Sequence, residues 1–257
     1  MPLMRVIYLA LAAALTLYLA LCAAMFAMQR SFIYHPQPRM VRAPGSTLML
    51  DAGGIRLVVT VRPHPGPKAL VYFGGNGEDV SQSLQSFSRA FPDYALYLLH
   101  YRGYGGSGGT PSESALLADA LALFARVHAE HPEVAVIGRS LGSGIAVHLA
   151  SEVPVSHLVL VTPYDSIEAI AAQQYPYLPV RWLLLDRYES WRYASVVRVP
   201  TTLIVAQDDE VIPRANTERL LSRFAPGLAS MKVIAGVGHT DIGEADQYLS
   251  LLQAALR

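Results

Sequence analysis

Eight short β-rich runs separated by helical patterns and turns constrain the fold of this chain more than any single residue does. The runs cover residues 47–50, 55–61, 69–73, 95–101, 134–137, 157–161, 202–205 and 231–234. Several are apolar without alternation, as in Ala-Leu-Tyr-Leu-Leu at 95–99, which suits strands covered on both faces. Helical patterns occupy 80–91, 112–131, 141–151, 216–224 and 244–256. Strands alternating with helices imply βαβ crossovers, hence an α/β fold with a mostly parallel eight-stranded sheet and helices on both faces. Ligands in such sheets sit beyond the carboxyl ends of the strands, so chemistry is expected there.

A different pattern precedes the first strand. Residues 6–28 contain only one side chain, Thr16, outside the broad hydrophobic class, with Arg5 before them and Gln29 and Arg30 after. As a helix this run spans ~34 Å, enough for a hydrocarbon core of ~30 Å. A cleaved signal peptide is the rival reading, but its apolar region should run only ~7–15 residues. Residues 1–28 are therefore expected to be a transmembrane anchor, with Cys22 as a lipid-facing thiol rather than a lipoprotein cysteine, since Leu21 precedes it. Arg30, Arg39 and Arg42 outnumber the positive charges of the N-terminal flank by one, a slight lean toward a cytoplasmic C-terminal domain that leaves the side open. Pro36, Pro38 and Pro44 mark 29–46 as a linker that no continuous helix can cross. Residues 47–257 then read as one globular domain.

Charge excludes other classes. Lys+Arg and Asp+Glu are equal at 20 each, whereas a nucleic-acid binder would carry a basic stripe. A single cysteine forms no internal disulfide and no Cys-rich zinc site. Charged residues make up 16% of the chain, below the ~25% typical of soluble domains. Setting the anchor aside brings the hydrophobic share down to about 48% but leaves the charged share near 17%. The deficit belongs to the globular domain, as expected of a surface working close to a membrane.

Two segments match Gly-x-Ser-x-Gly. Gly105-Gly-Ser107-Gly-Gly109 runs into Thr110-Pro111, so no helix starts at its serine and a flexible loop is expected. Gly138-Arg139-Ser140-Leu141-Gly142 lies between a strand and a helix, the context in which such a turn strains the serine and exposes its hydroxyl at the sheet top. A serine hydroxyl needs a base to accept its proton and an acid to orient that base. His239 leaves the last strand in a glycine-flanked loop and is the candidate base. Asp208 and Asp209 follow the seventh strand, with Asp241 and Asp165 as rivals, and spacing alone does not separate them.

Taken together, these segments resemble the α/β-hydrolase superfamily, most closely its small membrane-anchored serine hydrolases, which include depalmitoylating thioesterases and grade into serine-aminopeptidase-like relatives. The resemblance rests on Ser31-Phe-Ile-Tyr-His-Pro36, Tyr72-Phe-Gly-Gly-Asn-Gly77, His100-Tyr-Arg-Gly-Tyr-Gly105, the Ser140 turn, Asp209-Glu-Val-Ile-Pro213 and Gly238-His-Thr-Asp241. It implies an α/β-hydrolase fold with a short cap, Ser140 as nucleophile, Asp209 as acid, His239 as base, and an oxyanion hole from the backbone N–H groups of Asn76 and Leu141. Relatives usually have His-Gly-Asn where this chain has Gly74-Gly75-Asn76, which puts loop rigidity in question, and often asparagine where it has Thr240.

The expected chemistry is acyl transfer on carboxylic esters or thioesters of small-molecule or lipid-like substrates, with no metal, no organic cofactor and no nucleic-acid partner. A small serine peptidase and a non-catalytic membrane scaffold are the alternatives. The aromatic and aliphatic segment 173–185 either walls an acyl pocket or covers the sheet edge, so Tyr175, Tyr177 and Trp182 receive no role. Oligomeric state is not legible in these residues.

Overall fold

The computed structural model describes residues 2–257. Strands β1 (Thr47–Ala52), β2 (Ile55–Arg62), β3 (Lys68–Phe73), β4 (Ala95–Leu99), β5 (Glu133–Arg139), β6 (His157–Val161), β7 (Thr201–Ala206) and β8 (Ala229–Ile234) form one sheet in the order β1-β2-β4-β3-β5-β6-β7-β8. Pairing is antiparallel for β1–β2 and β2–β4 and parallel from there on. The expected eight-stranded, mostly parallel sheet is thus present. Its antiparallel edge begins with a two-residue hairpin at Gly53 and Gly54, whose φ values of 65° and 82° are both positive. A turn of that geometry matches the right-handed twist of the flanking strands and favours glycine.

Alternation within each strand distributes the core between two layers. In β3, Ala69, Val71 and Phe73 face one side and Leu70 and Tyr72 the other, all buried. The first side is covered by α3 (Glu113–His128), α4 (Leu141–Glu152) and α8 (Arg214–Leu221), through residues such as Leu116, Ile145 and Leu220. The second is covered by α2 (Leu84–Ala90) and α9 (Tyr248–Ala255), through Phe87 and Leu252. Helix α3 starts where the Ser112 hydroxyl accepts the Ala115 N–H, with Glu113 in the positive first turn. It stops short of the expected 131 because Pro132 disfavours helical backbone just before it. The pattern at 244–256 likewise divides into a 3₁₀ turn, Ile242–Glu244, and α9, because Ala245 takes an extended conformation with ψ 134°.

The N-terminal helix α1 runs from Pro2 to Ile33, 32 residues or ~48 Å at ~1.5 Å per residue. Among the described residues it is the one helix long and apolar enough to cross a membrane. Its last turn continues beyond the apolar run because Gln29 and Ile33 are buried against the domain. The extended chain that follows is pinned to its neighbours. The Asp79 carboxylate accepts the Met40 N–H at 2.8 Å, Gln37 C=O accepts the Gly105 N–H at 2.9 Å, and the buried Arg39 guanidinium donates to Thr47 Oγ1 at 2.7 Å.

Where β4 leaves the sheet, His100 is buried, its Nε2 2.9 Å from Thr60 Oγ1. Gly105 packs so closely that a Cβ there would lie 2.1 Å from the ring. Burial lowers the His100 pKa from 6.5 to about 4. Unfolding restores the ordinary affinity, so between those values the unfolded chain binds a proton that the folded chain does not, and stability falls as pH falls. The whole effect is on the order of 3 kcal/mol. Thermal melting of the detergent-solubilised chain should show a midpoint that declines from pH 7 to pH 4.5. His100→Asn should flatten that decline, and an equally steep decline in the variant would assign it to other groups.

Candidate active site

The turn between β5 and α4 holds Ser140 at φ 49°, ψ −117°, a conformation that costs a non-glycine residue on the order of 1–3 kcal/mol. Packing over-determines it. A Cβ on Gly138 would lie 2.3 Å from Gly142 C=O oxygen, and one on Gly142 would lie 2.1 Å from Phe73 C=O oxygen. The Ser140 N–H donates to Val161 C=O at 2.9 Å. The hydroxyl therefore stands at the carboxyl edge of the sheet. The other glycine-flanked serine, Ser107, lies in a loop as expected, but not a loose one. Its buried hydroxyl donates to His100 C=O at 2.7 Å and accepts the Val58 N–H at 2.8 Å.

His239 brings Nε2 to 2.9 Å from Ser140 Oγ, while its Nδ1 lies 3.1 and 3.0 Å from the two oxygens of Asp209. Asp209 Oδ1 also accepts the N–H groups of Val211 and Ile212 at 3.0 and 2.7 Å, which fixes the carboxylate. The rival acids are engaged elsewhere or turned away. Asp208 is exposed, and Asp241, also exposed, accepts the Gly238 N–H at 2.7 Å. Asp165 is buried against Arg219 at 2.7 Å and Asn216 at 2.8 Å. Glu210 accepts the His239 N–H at 3.0 Å. A Cβ on Gly238 would lie 2.6 Å from that carboxylate.

The backbone N–H groups of Asn76 and Leu141 have no acceptor among the described residues, and the two residues line the same cavity as Ser140. The loop carrying Asn76 is braced by a carboxylate, a guanidinium and two phenols. Glu78 accepts the Gly75 N–H at 2.9 Å and the Tyr72 hydroxyl at 2.8 Å, and lies 3.5 Å from Arg139. Arg139 also donates to Thr240 C=O at 2.9 Å, tying this loop to the His239 loop. Tyr101 donates to Gly74 C=O at 2.7 Å and Tyr104 to Asn76 C=O at 2.6 Å. Burial raises the pKa of both phenols, so they keep the protons they donate. Sequence reasoning singled out the Arg-Gly-Tyr-Gly run without a role for it. Its tyrosine, with Tyr101, props the loop, and Arg102 clamps Asp119 through two bonds of 2.8 and 2.7 Å.

From Ser140 a cavity of about 310 Å³ extends outward, at the small end of the range of ~300–1,000 Å³ for ligand pockets. Its walls come from α5 (Ile167–Gln174), α6 (Val180–Leu183) and the end of α1, and include Ile170, Tyr175, Leu178, Leu183 and Phe26. No acidic side chain lines it. The 173–185 segment thus does both jobs in part. Tyr175 faces the cavity, whereas Tyr177 and Trp182 are 88% and 86% exposed.

An eight-stranded sheet of this order with a serine at its β5–α4 elbow defines a class, and comparisons agree. The chain belongs to the α/β-hydrolase superfamily. The Hydrolase_4 family (serine aminopeptidase, S33) matches residues 66–193. An uncharacterized protein of Mycobacterium tuberculosis is 34% identical over 233 residues, covering 84% of this chain and 82% of that protein. The lysophosphatidylserine lipase ABHD12 of Xenopus tropicalis is 30% identical over 178 residues. That match covers 61% of this chain but only 46% of the lipase. The Pyrococcus furiosus esterase Pf2001 shares the fold with a TM-score of 0.67 at 17% identity, covering 87% of this chain and 96% of the esterase.

Glu78→Ala leaves the Gly75 N–H without its acceptor and Arg139 without its partner. Turnover of an acyl ester should fall about 10- to 100-fold, less than the roughly 10²–10³-fold lost when an oxyanion donor is removed outright, while circular dichroism stays unchanged. Wild-type turnover in this variant would show that the loop is held by the tyrosines alone.

Proposed function

We propose that the chain is a membrane-anchored serine hydrolase that cleaves carboxylic ester or thioester bonds through an acyl-enzyme on Ser140. The observation that carries this reading is the His239 Nε2–Ser140 Oγ hydrogen bond of 2.9 Å at the inner end of an apolar cavity. His239 takes the hydroxyl proton as Oγ attacks the carbonyl carbon, and Asp209 receives the Nδ1–H bond that stabilises the imidazolium. The N–H groups of Asn76 and Leu141 bind the oxyanion of the tetrahedral intermediate. That intermediate collapses as the C–O or C–S bond breaks, and the leaving oxygen or sulfur takes the proton from Nε2. Water then attacks the acyl-enzyme, giving its proton to Nε2, and Ser140 recovers it as the acid departs.

The apolar walls and the lipase activity for which the Xenopus tropicalis relative is named favour a lipid-like acyl group. The apolar helix α1, exposed along most of its length, fits a single-pass anchor. The family's aminopeptidase name raises a second reading, but a substrate ammonium would need a carboxylate in the cavity, and none lines it. Comparing acyl esters with aminoacyl amides separates the two.

A fluorophosphonate probe should label the wild-type chain and fail to label Ser140→Ala of unchanged fold. Absent labelling of folded wild type, or equal labelling of the variant, would contradict the mechanism. Asp209→Asn should lower kcat for an ester by about 10³–10⁴-fold, by analogy with loss of the orienting acid in other triads.

A further inference from the structure

Resting on the hydrolase reading above, we infer that α1 is the outer wall of the acyl site: the substrate's acyl chain enters from the bilayer between α1 and the cap and lies along the helix's last turns.

Spacing along α1 supplies the first argument. Met25, Phe26, Gln29, Phe32 and Ile33 all line the cavity that reaches Ser140, and their offsets of one, four, seven and eight residues place them on one helical face. Cys22, on the same stripe, is buried, while most of the helix before it is exposed. An anchor serving only as a tether has no reason to present one face to the nucleophile's cavity. Opposite this stripe stand Ile170, Leu178 and Leu183 of the cap, so the two surfaces enclose a space suited to a hydrocarbon chain.

The helix is also held in register. Gln29 donates to Leu183 C=O at 3.1 Å and accepts the Leu185 N–H at 2.7 Å. Arg30 lies 3.0 Å from Asp186, whose carboxylate also accepts the Tyr34 hydroxyl at 3.1 Å. Further up, the Tyr18 hydroxyl donates to Tyr177 C=O at 2.9 Å. The cap therefore follows α1 from Ile33 back to Tyr18, fifteen residues or ~22 Å of helix axis.

Depth gives the occupant. A span of ~20 residues is needed to cross the hydrocarbon core, and counted from Val6 it ends near Met25. Tyr18 then lies within the apolar slab, so the cap tip bonded to it dips below the membrane surface. Tyr177 and Trp182, exposed on that tip, are the residue types that settle at the lipid–water boundary. The mouth between α1 and the cap accordingly faces lipid, and the ligand that fits is the acyl chain of a bilayer lipid.

The test uses the full chain in detergent and a series of p-nitrophenyl acyl esters from C4 to C12. Burying each added methylene should raise kcat/KM up to about fourfold until the cavity is full. Met25→Trp, which fills the wall, should lower the C10:C4 ratio of kcat/KM at least tenfold. Phe26→Ala should shift the preferred length upward. Leu17→Trp, on the exposed side of the same helix, should leave the ratio at the wild-type value. Fluorophosphonate labelling of each variant reports an intact Ser140 site. Labelled Met25→Trp and Phe26→Ala with the wild-type ratio would overturn the inference while leaving the hydrolase reading intact. An unlabelled wild type would overturn both. A long-chain alkyl fluorophosphonate with a terminal diazirine gives a readout free of turnover. After reaction at Ser140, irradiation should cross-link the alkyl end to the 22–33 segment, and cross-links confined to the sheet or to the far side of the cap would contradict the placement.

Discussion

Much of the structure depends on the crowding at the β5–α4 turn. Ser140 occupies a backbone conformation that a side chain normally avoids, and it does so because no side chain exists at Gly138 or Gly142 to push the turn open. The turn fixes where the hydroxyl points and where the Leu141 N–H points. It also brings α4 against Phe73 and Gly74, so the loop carrying Asn76 is positioned by the same contact that strains the serine. The cost of that strain is met by the sheet, whose central strands β3, β5 and β6 are buried on both faces.

Around this turn the polar groups form one connected brace. Glu78 joins Gly75, Tyr72 and Arg139, and Arg139 joins the chain after His239. The loop carrying Asn76 and the loop carrying His239, far apart in sequence, are thus coupled through one guanidinium. At Gly74, where the sequence resemblance implied a histidine, this network does the bracing. Main-chain donors need only a rigid loop, and a carboxylate shared among an N–H, a phenol and a guanidinium supplies rigidity as well as a histidine does.

The sheet was legible from sequence because its central strands are continuous apolar runs, and each run lies within two residues of an observed strand end. The site was legible only as far as local context reaches. Ser140 and His239 each announce themselves by glycines flanking a strand exit, but Asp208 and Asp209 are neighbours with the same chemistry. Only the three-dimensional path of the loop, pinned by the Val211 and Ile212 N–H groups, shows which carboxylate meets His239. Glu78 and Arg139 were silent for a similar reason, since a single charge in a turn or at a strand end carries no periodicity. The role of α1 was hidden because an apolar helix looks the same from sequence whether lipid or protein faces its stripe.

The proposed mechanism requires Ser140 to carry a covalent acyl intermediate. Rapid mixing with a p-nitrophenyl ester, followed by acid quench and peptide mass spectrometry, tests it most directly. A burst of one p-nitrophenolate per active chain and an acyl mass on the peptide containing Ser140 are expected, both abolished in Ser140→Ala. Steady ester hydrolysis by the wild type with an acyl mass on another residue, or undiminished hydrolysis by Ser140→Ala, would contradict it.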